Sequence, residues 1–351
     1  MRRLPVYFLI DVSESMVGDP ISQVESGMAQ LIQELKKDPN ALETVHISVL
    51  VFAGDAKTLV PLNDIISFYP PKFPIGSGTS LSKGLGHLMS ELRANIVRTT
   101  AEKKGDWKPI VFLFTDGVPT DDTIPAIKEW QSNWSNTANL IAISLGDATD
   151  LELLNKLTKN VMQLANTGAD GYREFFKWVT DSIKTSSEST DSNGSKFELS
   201  ERDNNCLAKI DVTNKVTDPL TVDDNYVVIL GTCQNTKNYY LIKYQRARQS
   251  SGLEGLNLST RIFKLKGAYQ IDKIAYSNLS DGSIIAQKIN SEELQGVPTC
   301  PCCGNQVAFA VCECEQVHCI VGDGVSTCPS CGITGKYGSG QGGFDVNRML
   351  G

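Results

Sequence analysis

Through the first half of the chain, short apolar runs alternate with stretches in which apolar residues return every three or four positions. Val6 to Ile10, Val45 to Phe52, Ile110 to Thr115, Leu140 to Leu145 and Val161 to Ala165 are continuous runs rich in β-branched residues. Strands covered on both faces read this way, because neither face needs to be polar. Between them, Ile21, Val24, Met28, Leu31, Ile32 and Leu35 mark an amphipathic helix, opened by Asp19 as N-cap and Pro20 at the first helical position. Leu81, Leu85, Leu88, Met89, Leu92 and Ile96 mark a second helix, Ile124, Ile127, Trp130 and Trp134 a third, and Tyr172 to Ile183 a last one. Alternating strands and helices predict a doubly wound, Rossmann-like α/β domain with a mostly parallel sheet over residues 1–185.

The pattern then changes. Residues 186–195 hold no apolar side chain to bury and predict a polar linker. Over 196–297, strand-like runs at Leu207 to Val212, Tyr226 to Cys233, Tyr239 to Tyr244 and Arg261 to Ile271 predict a β-rich domain. A cysteine cluster follows over 298–334, ending like a zinc ribbon, and 335–351 is a glycine-rich tail.

Composition narrows the function classes. With 41% hydrophobic and 21% charged residues and a net charge of −7, the 351-residue chain is ordinary globular protein of more than one domain, without the basic surplus of a nucleic-acid binder. The apolar run after Met1-Arg2-Arg3 is too short for a signal peptide and stops at Asp11. No stretch approaches the ~20 apolar residues of a membrane span, so direct membrane insertion is not expected. Of ten cysteines, eight crowd between Cys300 and Cys331. Such crowding is metal-ligand spacing, which points to a reducing compartment.

Three loops at the carboxyl ends of predicted strands carry oxygen donors. Asp11, Ser13 and Ser15 follow the first strand, Thr79 precedes a helix in Gly76-Ser77-Gly78-Thr79-Ser80, and Asp116 ends the Ile110 to Thr115 strand. Two carboxylates and three hydroxyls form a hard donor set that suits Mg²⁺ or Mn²⁺. Singly, each residue reads as a helix cap or turn; in this order and context they predict one cation site. Asp11-Val12-Ser13-Glu14-Ser15, Thr79 and Thr115-Asp116-Gly117 resemble the metal-ion-dependent adhesion site of von Willebrand A domains. The resemblance implies that Ser13, Ser15 and Thr79 touch the cation directly, that Asp11 and Asp116 hold its waters, and that a partner's Asp or Glu fills the open position. No catalytic residue is expected: His46 begins a strand, His87 lies in a helix, and neither serine has a sequence-evident base.

In the cluster, Cys300-Pro301-Cys302-Cys303-Gly304 and Cys328-Pro329-Ser330-Cys331-Gly332 are two knuckles. Cys300, Cys303, Cys328 and Cys331 are expected to close one tetrahedral zinc site. Cys312, Cys314, Cys319 and His318 are the donors for a possible second, with Cys319 ranked above His318. An interleaved, ring-finger-like grouping is the alternative, although the usual Cys-x-His spacing is absent. Cys302 is expected to point elsewhere, and Cys206 and Cys233 to be small buried hydrophobes.

The order of an A domain, a β-rich region with Gly231-Thr232-Cys233 and Tyr240-Leu241-Ile242-Lys243-Tyr244, and this cysteine pattern resembles the TerY family of tellurite-resistance proteins. The resemblance implies a cytoplasmic scaffold of a stress-response system, partnered by a Ser/Thr kinase, a PP2C-type phosphatase or another Ter protein. A zinc-dependent, ubiquitin-ligase-like adaptor and a Mg²⁺-dependent hydrolase are the alternatives. Nucleic-acid binding is disfavoured, since Cys300 to Cys331 contains no Lys or Arg.

Overall fold

A computed structural model describes residues 2–102, 104–145, 149–164, 168–188, 207–209, 225–248, 259–280, 287–338 and 342–349. The predicted linker from 189 to 195, Cys206 and residues 210–212 of one predicted strand lie outside these. The chain divides into two compact units. The first comprises Met1–Val12, Asp19–Phe73 and Thr79–Leu220; the second comprises Ser13–Gly18, Pro74–Gly78 and Thr221–Gly351.

In the first unit the elements run β1 (Leu4–Asp11), α1 (Asp19–Leu35), α2 (Pro39–Thr44), β2 (Val45–Phe52), β3 (Ala56–Asp64), α3 (Leu81–Asn95), β4 (Ile110–Thr115), α4 (Ile124–Asn133), β5 (Asn139–Ser144), α5 (Leu151–Leu157), β6 (Val161–Leu164), α6 (Ala169–Glu188) and β7 (Leu207–Lys209). The sheet order is β3-β2-β1-β4-β5-β6-β7. Five strands are parallel, and the two edges, β3 and β7, are antiparallel. The five predicted strands are these five parallel ones, and their burial explains their legibility: every residue of β1 and β4 is buried.

Alternation along the strands divides the core. Tyr7, Leu9, Val111 and Leu113 pack with Leu85, Leu88 and Trp130 of α3 and α4. Phe8, Phe112 and Phe114 form a ring stack that continues into Phe175 and Phe176 of α6. There α1 and α6 approach so closely that a Cβ at Gly27 would overlap the Phe176 ring. Ile124, predicted on an apolar face, opens α4 and is 60% exposed; that helix buries itself only from Ile127 onward. The strand at Leu207 also differs from expectation. It extends the first sheet beside β6 instead of joining the β-rich domain.

The second unit holds β8 (Tyr226–Thr232), β9 (Tyr239–Arg248), β10 (Ser259–Ile271), α7 (Lys273–Leu279), β11 (Gln287–Asn290), β12 (Leu294–Gln295), β13 (Val307–Val311), β14 (Val317–Ile320), β15 (Gly324–Thr327), β16 (Thr334–Tyr337) and β17 (Asp345–Arg348). Six strands form one sheet in the order β12-β10-β9-β8-β14-β13, while β11–β17 and β15–β16 are separate pairs. Its core mixes apolar side chains, among them Val227, Ile229, Tyr240 and Ile242, with Cys233, Cys300 and Cys319. Gly231 is obligatory here, because a side chain would strike the Tyr240 ring, whose hydroxyl donates to the Ala308 carbonyl at 2.6 Å.

Candidate metal centres

Asp11 and Asp116 sit where a doubly wound sheet reverses direction. The chain leaves β1 toward β2 and β3 on one side and resumes with β4 on the other, so the carboxyl ends of β1 and β4 flank the crevice in which such folds bind ligands. Asp11 closes β1, Asp116 follows β4, and both are buried. Thr115 Oγ1 donates to Asp11 Oδ2 at 2.7 Å, fixing that carboxylate.

Thr79 is held by its backbone. Its N–H donates to Thr120 Oγ1 at 3.0 Å, and its carbonyl accepts from the Thr120 N–H at 2.9 Å. Its own hydroxyl, 1% exposed as a residue, has no hydrogen-bond partner among the described residues. A buried hydroxyl without a partner costs on the order of 1–3 kcal/mol, so the position calls for a ligand that satisfies it. Ser13 and Ser15 belong to the other unit and flank Glu14 in a single 3₁₀ turn, Glu14–Met16, with their hydroxyls 3.0 Å apart. Thr79 and the donor chemistry both fit a hard divalent cation.

The sulfur donors form two groups. Cys233, Cys300, Cys303 and Cys319 lie within 4.8 Å of one another, and so do Cys312, Cys314, Cys328 and Cys331. Sulfur separations are 3.7 Å for Cys303–Cys319 and 3.9 Å for Cys319–Cys233, against 3.6 Å for Cys312–Cys331 and 3.8 Å for Cys314–Cys328. A tetrahedral zinc with Zn–S of about 2.3 Å has edges of about 3.8 Å, and a disulfide would need about 2.05 Å. Both groups therefore fit zinc as they stand.

This grouping differs from the expected one. Cys300 and Cys303 do not share a site with Cys328 and Cys331; each knuckle belongs to a different group. Cys319 parts from Cys312 and Cys314, since β14 turns it toward the sheet core. His318 is in neither group: its Nδ1 lies 3.1 Å from the Cys319 carbonyl and its ring packs edge-on against Tyr337. Cys302, as expected, joins neither. Burial pushes its thiol up to about 12, and its sulfur faces the Tyr239 carbonyl.

The donor missing from the sequence reading is Cys233, and the backbone shows why it belongs. In each Cys-Pro knuckle the first cysteine's carbonyl accepts from the N–H four residues on, at Gly304 or Gly332. Its N–H donates to the carbonyl five residues on, at Asn305 or Ile333. Cys233 repeats both bonds, with Lys237 and Asn238. Lys237 takes the positive φ of 61° that Gly304 and Gly332 supply elsewhere at 77° and 75°. The second cysteine is replaced by Thr236, whose N–H points at the Cys233 sulfur at 3.4 Å, while Gln234 N–H lies 3.2 Å from Cys319 Sγ. Such N–H donors stabilise thiolates. At Cys312, the Cys314 N–H is the main cause that brings the thiol down to about 7. With Thr and Lys where the motif has Cys and Gly, this third knuckle left no spacing to recognise.

In chain order the groups interleave: Cys300 and Cys303 in one, Cys312 and Cys314 in the other, then Cys319 in the first, Cys328 and Cys331 in the second. That is the order of a cross-brace, completed here by Cys233 from the distant β8–β9 turn.

Residues 6–177 match the von Willebrand factor type A domain, and residues 223–351 match the TerY-C metal binding domain. No curated protein matches the chain. Among solved structures, proximal thread matrix protein 1 from the mussel byssus is 20% identical with a TM-score of 0.38, over 51% of this chain and 48% of that one. PilB minor pilin from Streptococcus sanguinis is 12% identical with a TM-score of 0.40, over 52% and 61%. Pilus adhesin SpaC from Lactobacillus rhamnosus GG is 13% identical with a TM-score of 0.41, over 72% and 36%. The chain thus spans about half the length of the first of these, and likenesses this weak say nothing further about function.

Proposed function

We propose that the chain, a von Willebrand factor type A domain followed by a TerY-C metal binding domain, is a metal-dependent, non-catalytic scaffold of the TerY type. Asp11, Ser13, Ser15, Thr79 and Asp116 hold Mg²⁺ or Mn²⁺, and the ion captures an Asp or Glu of a partner protein. The observation that carries this reading is the buried Thr79 hydroxyl, which has no hydrogen-bond partner among the described residues at the position the family uses as a direct ligand. When bound, the cation supplies an electrophilic coordination position for the carboxylate, and it keeps that character if the two aspartates act through its waters.

The two cysteine groups hold two zinc ions, each saturated by four sulfurs, so they build the unit instead of catalysing a reaction. The partners that fit the family are a Ser/Thr kinase, a PP2C-type phosphatase or another Ter protein in the cytoplasm, in a tellurite-resistance or stress response. Among the described residues no helix is long and apolar enough to cross a membrane. Affinity capture in Mg²⁺ tests the scaffold: partners retained by the wild-type protein and lost from Thr79→Ala and Asp116→Ala support it. Identical retention by all three would overturn it.

The interleaved sulfurs favour a second reading, a ubiquitin-ligase-like adaptor, because a cross-brace is what that class requires. Discharge of a ubiquitin-charged conjugating enzyme by the purified protein would establish it. Absence of discharge at full zinc occupancy would remove it.

A further inference from the structure

The 3₁₀ turn that carries Ser13 and Ser15 does not satisfy its own backbone. Ser13 O accepts from the Met16 N–H and Glu14 O from the Val17 N–H, at 3.0 and 3.2 Å. Two further carbonyls, of Ser15 and Val17, both accept from Lys243 Nζ on β9, the second at 3.2 Å. Lys243 is only 4% exposed, and its ammonium lies 4.5 Å from the centroid of the Tyr226 ring. A buried ammonium is costly unless such groups surround it. Two carbonyls and a ring face therefore fix its place, and it fixes theirs.

Glu14, between the two serines, is fully buried and acts as a tie. Its Oε1 accepts from the Tyr276 hydroxyl on α7 at 2.8 Å, and its Oε2 from the Gly78 N–H at 2.9 Å, one residue before Thr79. Next to Gly78, the Ser77 N–H donates to Ser280 Oγ at 3.1 Å, and that hydroxyl donates to the Tyr276 carbonyl at 2.6 Å. Ser13–Gly18, which carries the proposed donors Ser13 and Ser15, and Pro74–Gly78, which leads into Thr79, are thus held within the second unit by α7 and β9. Buried, hydrogen-bonded supports of this kind hold donors in place before a metal arrives.

We propose that Lys243 and Tyr276 are positioning residues of the cation site, acting on the segment that carries Ser13 and Ser15, so that their loss loosens the hold on the ion. This rests on the reading of Ser13, Ser15 and Thr79 as ligands. Lys243 itself touches no cation: a positive charge nearby would repel one, and its contribution is to orient the Ser15 segment. The two effects oppose each other, which gives the test its sign.

The test is Mn²⁺ titration of the full-length, zinc-loaded protein, with free ion counted by its electron paramagnetic resonance signal. Lys243→Met is expected to weaken Mn²⁺ binding about tenfold or more, as for loss of a charge-assisted hydrogen bond, and to alter the line shape of the bound ion. Lys243→Arg, which keeps charge and donors, is expected to recover most of the affinity. Tyr276→Phe removes one oxygen, leaves the charge unchanged, and is expected to weaken binding about three- to tenfold. It decides the matter if Lys243→Met fails to fold. Unchanged or tighter binding in Lys243→Met and Tyr276→Phe, with wild-type binding intact, would overturn the positioning role. Absence of Mn²⁺ binding by the wild-type protein would instead overturn the cation site on which the role rests.

Discussion

The oxygen donors and the sulfur donors would hold a metal in opposite ways. Thr79, Asp11 and Asp116 are presented by ends of elements whose core is a large apolar sheet, so that core stands without any ion. Cys233, Cys300 and Cys319 are themselves part of a small core, packed with Val227, Tyr240 and Val317. On the proposed reading, removing the ion from the first would cost a binding function, and removing it from the second would cost structure. A fold can present a hard, exchangeable cation on loops, whereas soft, saturated sites serve as staples where apolar burial is scarce.

The largest expected effect lies on the sulfur side. Zinc binding in such sites is worth roughly 10–16 kcal/mol and appears as folding energy. Cys328→Ser is therefore expected to lose one zinc per chain and expose residues 312–334 to protease, while the α/β unit keeps its thermal transition. Unchanged protease resistance would contradict this. Cys233→Ser sharpens the pairing, because it should release one zinc although it lies far from the cluster in sequence; full zinc content would return Cys233 to the role of a plain hydrophobe.

On the oxygen side the effect is smaller. Thr79→Ala is expected to weaken Mg²⁺ or Mn²⁺ binding by about tenfold or more, roughly 1.4 kcal/mol per factor of ten, without loss of zinc or of fold. Calorimetric titration would show it, and an unchanged affinity would exclude Thr79 as a ligand. The smallest effect is expected at Cys302→Ser: metal analysis should give unchanged zinc, because its sulfur stands outside both groups. A lost zinc there would break the assignment.

The same contrast explains what the sequence could show. The five parallel strands were legible because burial on both faces leaves no polar residue to interrupt them, as in β1. β3 was not, since this edge strand is at most half-buried, and β7 was misassigned because three residues carry no sign of which sheet they join. The oxygen residues proposed as cation donors could be picked out together because each follows or precedes an element that can be read from its apolar pattern. The cysteines were recognised as ligands but not in their pairing. Spacing gives the knuckles, but only the fold of β13 and β14 decides which knuckle meets which, and Cys233 reaches its partners through a turn built on Thr236 and Lys237.

The central claim is that one chain holds two kinds of metal for two purposes, and a metal inventory tests it most directly. The purified protein, equilibrated with Mn²⁺, would be analysed for zinc and manganese per chain before and after dialysis against Mn²⁺-free buffer. The account predicts two zincs that remain throughout and one manganese that is lost on dialysis and absent from Thr79→Ala. A chain with no exchangeable manganese, or with zinc as readily lost as manganese, would contradict it.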